Sequence, residues 1–171
     1  MKKKLSGNLS PKKLNHAEVI ETICGCIGEL LQKMSLSGKV RAKIVDQHNE
    51  EIIWVSIENK ENPNLLIGQR GSNLSALQHL LRLIVRRKLD QVANFILDVN
   101  KYRENRVNYL QKLAAISAKQ VTKTKQPLIL EAMPAYERRI IHLALAGSEE
   151  VVTESEGEQE ERRVVIKPKE G

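Results

Sequence analysis

The sequence predicts an α+β fold in two small domains, and three observations carry that prediction. Apolar residues recur at helical spacing over long stretches, they alternate with polar residues over shorter ones, and the charge changes character along the 171 residues. A chain of this length holds one large domain or two small ones, and neither half is short of Leu, Ile and Val. The expected division is a basic N-terminal tail over 1–15, a first domain over 16–100 and a second over 101–168.

Taken in order, Val19, Ile20, Ile23, Cys24, Ile27, Leu30, Leu31 and Met34 form one apolar stripe, so a helix is expected from about Ala17 to Met34. Val40, Ala42 and Ile44 alternate with Arg41 and Lys43. After the polar turn Gln47 to Glu50, Ile53, Val55 and Ile57 share a face, which predicts a hairpin. Pro63 breaks the chain. From Ser72, a candidate N-cap, Leu74, Leu77, Leu81, Ile84 and Val85 trace a second long helix to about Leu89, and Phe95 to Val99 reads as a third strand. The first half is thus helix, strand, strand, short helix, helix, strand. In the second half a helix is expected from about Tyr102 to Val121, a short strand at Leu128 to Leu130, and a helix over Ala135 to Ala146 between Pro134 and Gly147. Val151 to Thr153 and Arg163 to Ile166 alternate around an acidic turn as a closing hairpin, so this half is helices packed on a small sheet.

Charge narrows the function classes. Lys and Arg number 28 against 21 acids, for a net +7, and residues 101–126 carry seven bases against Glu104 alone. Such a stretch points to a polyanionic partner, against the commoner outcome of a merely solvated face. Cys24 and Cys26 are too close in sequence to bridge, Cys24 falls on the first helix's apolar stripe as a small core residue, and the chain is expected in the cytoplasm. No apolar run reaches membrane-spanning length, so no membrane insertion is expected. His16, His48, His79 and His142 are scattered, no nucleophile comes with an organised partner, and neither metal, cofactor nor catalysis is expected. Aromatics at 3% count against binding through stacked aromatic platforms.

The segment LLIGQRGSNL, Leu65 to Leu74, holds the most informative spacing. G-x-x-G arises about half a time by chance in a chain with 9 Gly, and Gly25 to Gly28 shows it inside a helix. Gly68 to Gly71 differs in context. It follows an apolar run and opens onto a helix N-terminus, whose free N–H groups attract anions, and Arg70 adds a charge. A sugar-phosphate backbone could then touch the main chain where side chains are missing; a tight turn needing Gly only for its backbone angles is the competing reading. The spacing of a nucleotide P-loop is absent.

On those residues and that element order, LLIGQRGSNLSALQHLLRLIVRR resembles a K-homology (KH) domain of type II. In PAYERRIIHLAL, Arg138 and His142 stand four apart, and with the following TESEGEQEERRVVIKP this half resembles the R-three-H domain. The pair in this order resembles the Jag family, also called KhpB or SpoIIIJ-associated protein, without the additional N-terminal domain of many members. The resemblance implies that Ile67, Gly68, Gln69, Arg70 and Gly71 clamp single-stranded RNA, that Arg138, Arg139 and His142 contact single-stranded RNA or DNA, and that a small KH-domain protein is a partner. It also implies post-transcriptional regulation linked to cell elongation or cell-wall synthesis.

Arg138 and His142 lie one turn apart on a single helix face and could hold adjacent phosphates, or Arg138 could pair with a carboxylate while His142 packs as a partly buried ring. Arg82, Arg86 and Lys101 form a candidate phosphate track, or keep the surface soluble. Trp54, on the strand face opposite Ile53, Val55 and Ile57, supports an alternative function as a protein–protein adaptor, with nucleic-acid binding secondary.

Overall fold

In the computed structural model, residues 15–47 and 50–169 are described. The expected N-terminal tail, apart from Asn15, and the hairpin tip at 48 and 49 lie outside them. The chain divides into two compact units, the first running through Asn100 and the second beginning at Lys101.

The first unit is α1 (His16–Lys33), β1 (Lys39–Gln47), β2 (Glu50–Glu58), α2 (Pro63–Ile67), α3 (Ser72–Leu89) and β3 (Phe95–Val99). β1 and β2 are antiparallel, β2 and β3 parallel, and the strand order is β1-β2-β3. The parallel pair needs a crossover, which α2 and α3 supply. Ile53, Val55 and Ile57 of β2 and Phe95, Leu97 and Val99 of β3 form one buried face with Ile23, Ile27 and Leu31 of α1 and Leu74, Leu81 and Val85 of α3. α1 places Cys26 rather than Cys24 in the core. Cys24 lies at its margin, half-buried, where burial pushes its thiol pKa up. Met34 and Ile84, expected on apolar stripes, are exposed.

The second unit is α4 (Tyr102–Thr124), β4 (Leu128–Ile129), α5 (Ala135–Leu145), β5 (Val151–Glu156) and β6 (Arg163–Pro168), with strand order β4-β6-β5, all antiparallel. Its core gathers Leu110, Ala114 and Val121 of α4, Leu130 and Met133, Ile141 of α5, and Val151, Val164 and Ile166 of the sheet. The closing hairpin is longer than alternation of apolar residues predicts: β5 runs on through Glu154 and Glu156, because Lys167 of β6 pairs with both carboxylates across the ladder. Those two acids therefore belong to the strand, not the turn.

Candidate nucleic-acid interface

Gly68 to Gly71 joins α2 to α3. Pro63 starts α2, a helix of 5 residues, and Gly68 stops it at φ +70°, with its N–H bonded to Asn64 O at 2.8 Å. The chain then makes one tight turn in which Arg70 at φ +52° and Gly71 at φ +79° both adopt the left-handed conformation. A Cβ on Gly68 would stand 2.6 Å from Asn73 Cγ and 2.7 Å from Asn73 N. The close neighbour that Gly68 accommodates is thus Asn73 of the same chain, whose Nδ2 also donates to Leu65 O at 2.9 Å. The glycine shapes the loop, and the loop in turn presents Gln69, which is exposed, beside half-buried Arg70.

The start of α3 is open. α1 and α3 are both 18 residues long, yet α1 begins with a capping box in which Asn15 and Glu18 satisfy each other's backbone N–H groups. α3 begins at Gly71, not with Ser72 as its cap, and has no side-chain cap and no acid in its first turn among the described residues. Gly71 N–H is returned to Gly68 O at 3.3 Å and Ser72 N–H to Gln69 O, so what this start offers a ligand is the positive end of the dipole with no side-chain cap or carboxylate upon it.

An amide pair, Asn59 buried and Asn100 exposed, braces the loop from behind. Asn59, 1% exposed, receives a bond at its backbone carbonyl from Asn100 Nδ2 at 2.6 Å and donates its backbone N–H to Asn100 Oδ1 at 3.1 Å. Its own side chain donates to Ser37 O and accepts from the backbone N–H of Asn62 at 2.8 Å. The residue before α2 is thereby fixed to the ends of β2 and β3.

Two residues of the candidate track stand well along α3 from the loop. Arg82 and Arg86 lie on α3, roughly 15 and 21 Å along the axis from Ser72 at 1.5 Å per residue. Arg82 donates from Nη2 to Phe95 O at 2.9 Å with its guanidinium 5.9 Å from the Phe95 ring centre, so it fastens β3 to the helix. Lys101 is exposed at φ +58° and opens α4 in the other unit.

In the second unit α5 sets Arg138 beside His142, half-buried, with Arg139 exposed. Nδ1 of His142 lies 2.6 Å from Thr153 Oγ1 and Nε2 lies 2.8 Å from Ser155 Oγ, so both ring nitrogens are engaged by β5. Burial, and then the Arg138 charge, lower the His142 pKa below its ordinary value. Arg138 Nε donates to Met133 O at 3.3 Å. The ring is a neutral crossbar between α5 and β5.

The unforeseen element is a buried ion pair. Arg106 Nε and Nη2 fork onto Glu137 Oε1 and Oε2 at 2.7 and 2.8 Å, and Tyr136 OH donates to Oε1 at 3.1 Å. Glu137 is wholly buried. Its bond and charge raise the Arg106 pKa, while burial and then the Glu137 charge raise that of Tyr136. Arg106 therefore neutralises an internal carboxylate instead of adding to the basic stretch of α4. The sequence carried a signal: Glu137, Ile141 and Leu145 recur every four residues, which puts a carboxylate on the buried stripe.

Among the described residues, no three His, Cys, Asp or Glu stand together to hold a metal, and no helix is long and apolar enough to cross a membrane.

A profile of the R-three-H domain family matches residues 108–168. Three curated relatives are each named RNA-binding protein KhpB. That of Clostridium symbiosum is 37% identical over 139 residues, covering 81% of this chain and 63% of the relative. That of Bacillus subtilis is 43% identical over 111 residues, covering 64% and 53%. That of Lactiplantibacillus plantarum is 39% identical over 102 residues, covering 60% and 32%. The chain thus spans 63% or less of the length of these relatives.

Proposed function

The chain belongs to the Jag (KhpB) family, and from that premise we propose that it binds single-stranded RNA, with Ile67 to Gly71 of the first unit as the principal grip. The observation that carries this reading is the uncapped start of α3. A loop held in left-handed backbone conformations, braced by Asn59 and Asn100, delivers Gln69 and Arg70 to a helix end whose donors beyond Gly71 and Ser72 no acid or side-chain cap claims. A phosphate oxygen is what those donors suit. The second unit contributes through Arg139 and the exposed lysines of α4, with the neutral, engaged His142 acting on the shape of the domain.

Binding without catalysis is the consistent chemistry, since Glu154 and Glu156 are held by Lys167 and His142 by two hydroxyls. The family also supports a cytoplasmic place, a small KH-domain partner and a part in post-transcriptional regulation of cell elongation or wall synthesis. These are proposed on that resemblance alone.

The test is titration of a labelled single-stranded RNA with the wild type and with Gln69→Asp/Arg70→Asp. Two carboxylates where phosphate should lie are expected to lower affinity at least about tenfold, most at low salt, with the unfolding midpoint retained. Unchanged affinity at moderate salt removes the loop from its role.

A further inference from the structure

The chain has only three tyrosines, Tyr102, Tyr109 and Tyr136, all in the second unit, and all three interact with the Arg106–Glu137 pair or its immediate surroundings. The scarcity of aromatics along the chain therefore hides a local concentration. Two of them face solvent. Tyr109 on α4 is 54% exposed with the Arg106 guanidinium 5.1 Å from its ring centre, and Tyr136 on α5 is 47% exposed with its hydroxyl tied to Glu137.

We propose that Tyr109 and Tyr136 form a two-ring platform on which bases of single-stranded RNA stack, a contact separate from both the Gly68–Gly71 loop and the Arg138–His142 pair. The proposal rests on the reading of the chain as an RNA-binding protein and extends it to the second unit. Exposed tyrosines with mobile rings would be ordinary surface residues; these are not mobile in that sense. The guanidinium covers one face of Tyr109 and is itself locked by two bonds to a buried carboxylate, while Tyr136 is pinned by its hydroxyl to the same carboxylate. Two rings on adjacent helices are thus oriented in advance by one buried ion pair, so a base docking on either orders little that is not ordered already. Charge favours nucleic acid over an apolar protein surface. Lys112 stands one turn along α4 from Tyr109, Arg139 one turn along α5 from Tyr136, and both are exposed on the same helix faces as the rings. A strand whose bases stack on the tyrosines has cations within reach of its phosphates.

Stacking and phosphate contact are separable by experiment. The full chain is titrated with a pyrimidine-rich RNA and with an abasic oligomer of equal length, across a salt series. Tyr109→Ala, which removes an exposed ring, is expected to weaken RNA binding by about 5- to 150-fold, the range for loss of one stacked base. Its affinity for the abasic oligomer and its salt dependence should match the wild type, because no phosphate contact is lost. Tyr109→Trp and Tyr109→Phe keep a ring against the Arg106 guanidinium and should keep the affinity. Wild-type affinity in Tyr109→Ala, or an equal loss on both oligomers, overturns the platform and leaves the tyrosines to another partner while RNA binding through the loop stands. A wild type that binds neither oligomer overturns both the platform and the function on which it rests.

Discussion

Each unit carries a short motif whose residue types suit a phosphate, and the two are used in opposite ways. At Gly68–Gly71 the turn satisfies its own N–H groups, Gly68 to Asn64 O and Gly71 to Gly68 O, and what stays open is a helix end with no side-chain cap and no acid in its first turn among the described residues. At Arg138 and His142 the donors are side chains, and the fold has drawn on them: the imidazole bridges Thr153 and Ser155, and the guanidinium reaches Met133 O. Side chains can be satisfied by their own protein, whereas an open helix start cannot rotate away from solvent. Residue identity in a motif therefore says less about ligand contact than whether its donors have another place to go.

The largest expected effect separates the units by stability. Glu137→Ala leaves the Arg106 guanidinium facing an empty buried site, and should cost the second unit about 3–5 kcal/mol. Urea unfolding followed by Trp54 fluorescence, which reports the first unit, should be unmoved while a helical signal from the second unit shifts. A common loss in both signals would mean that the units do not unfold independently.

A smaller effect tests the loop as a shape. Gly68→Ala forces a Cβ against Asn73 at φ +70° and should destabilise the first unit by about 1–3 kcal/mol. Asn73→Ala in the same chain should not restore it, because Asn73 N, part of the backbone, stands 2.7 Å away. Full rescue by that second change would show the side chain alone to be the obstacle.

The smallest concerns pH. The folded pKa of His142 is below its unfolded value, so as pH falls through the unfolded value the unfolded chain takes up a proton that the folded ring resists. The second unit should lose stability as pH falls below about 6.5, the ordinary imidazole value, and His142→Gln should flatten that loss. A steeper decline in the variant would contradict the neutral crossbar.

How much of this was legible depends on range along the chain. Ser72–Leu89 and Phe95–Val99 match the expected limits because periodicity is local, and Gly68–Gly71 stood out because a Pro and an apolar run flank it. The Asn59–Asn100 bonds span 41 positions, and no pattern of spacing announces them. Ser72 looked like a cap by type, yet left-handed Gly71 takes the position. For Arg138 and His142 both alternatives were open from spacing. The hydroxyl partners on β5 favour the partly buried ring for His142, while the partner of Arg138 is a backbone carbonyl and not a carboxylate.

The reciprocal amide bonds between Asn59 and Asn100 also place the pieces in time. Because β2 and β3 run parallel, the chain must travel out through α2 and α3 and return before the two asparagines meet, and ring closure over 41 residues is a late, entropically costly event. A nascent chain that has emerged only as far as Val99 has every strand of the first sheet but no acceptor from Asn100 for Asn59 N–H, so the base of the Gly68–Gly71 turn stays loose. The base of that turn is finished only as Asn100, the last residue of the first unit, leaves the ribosome.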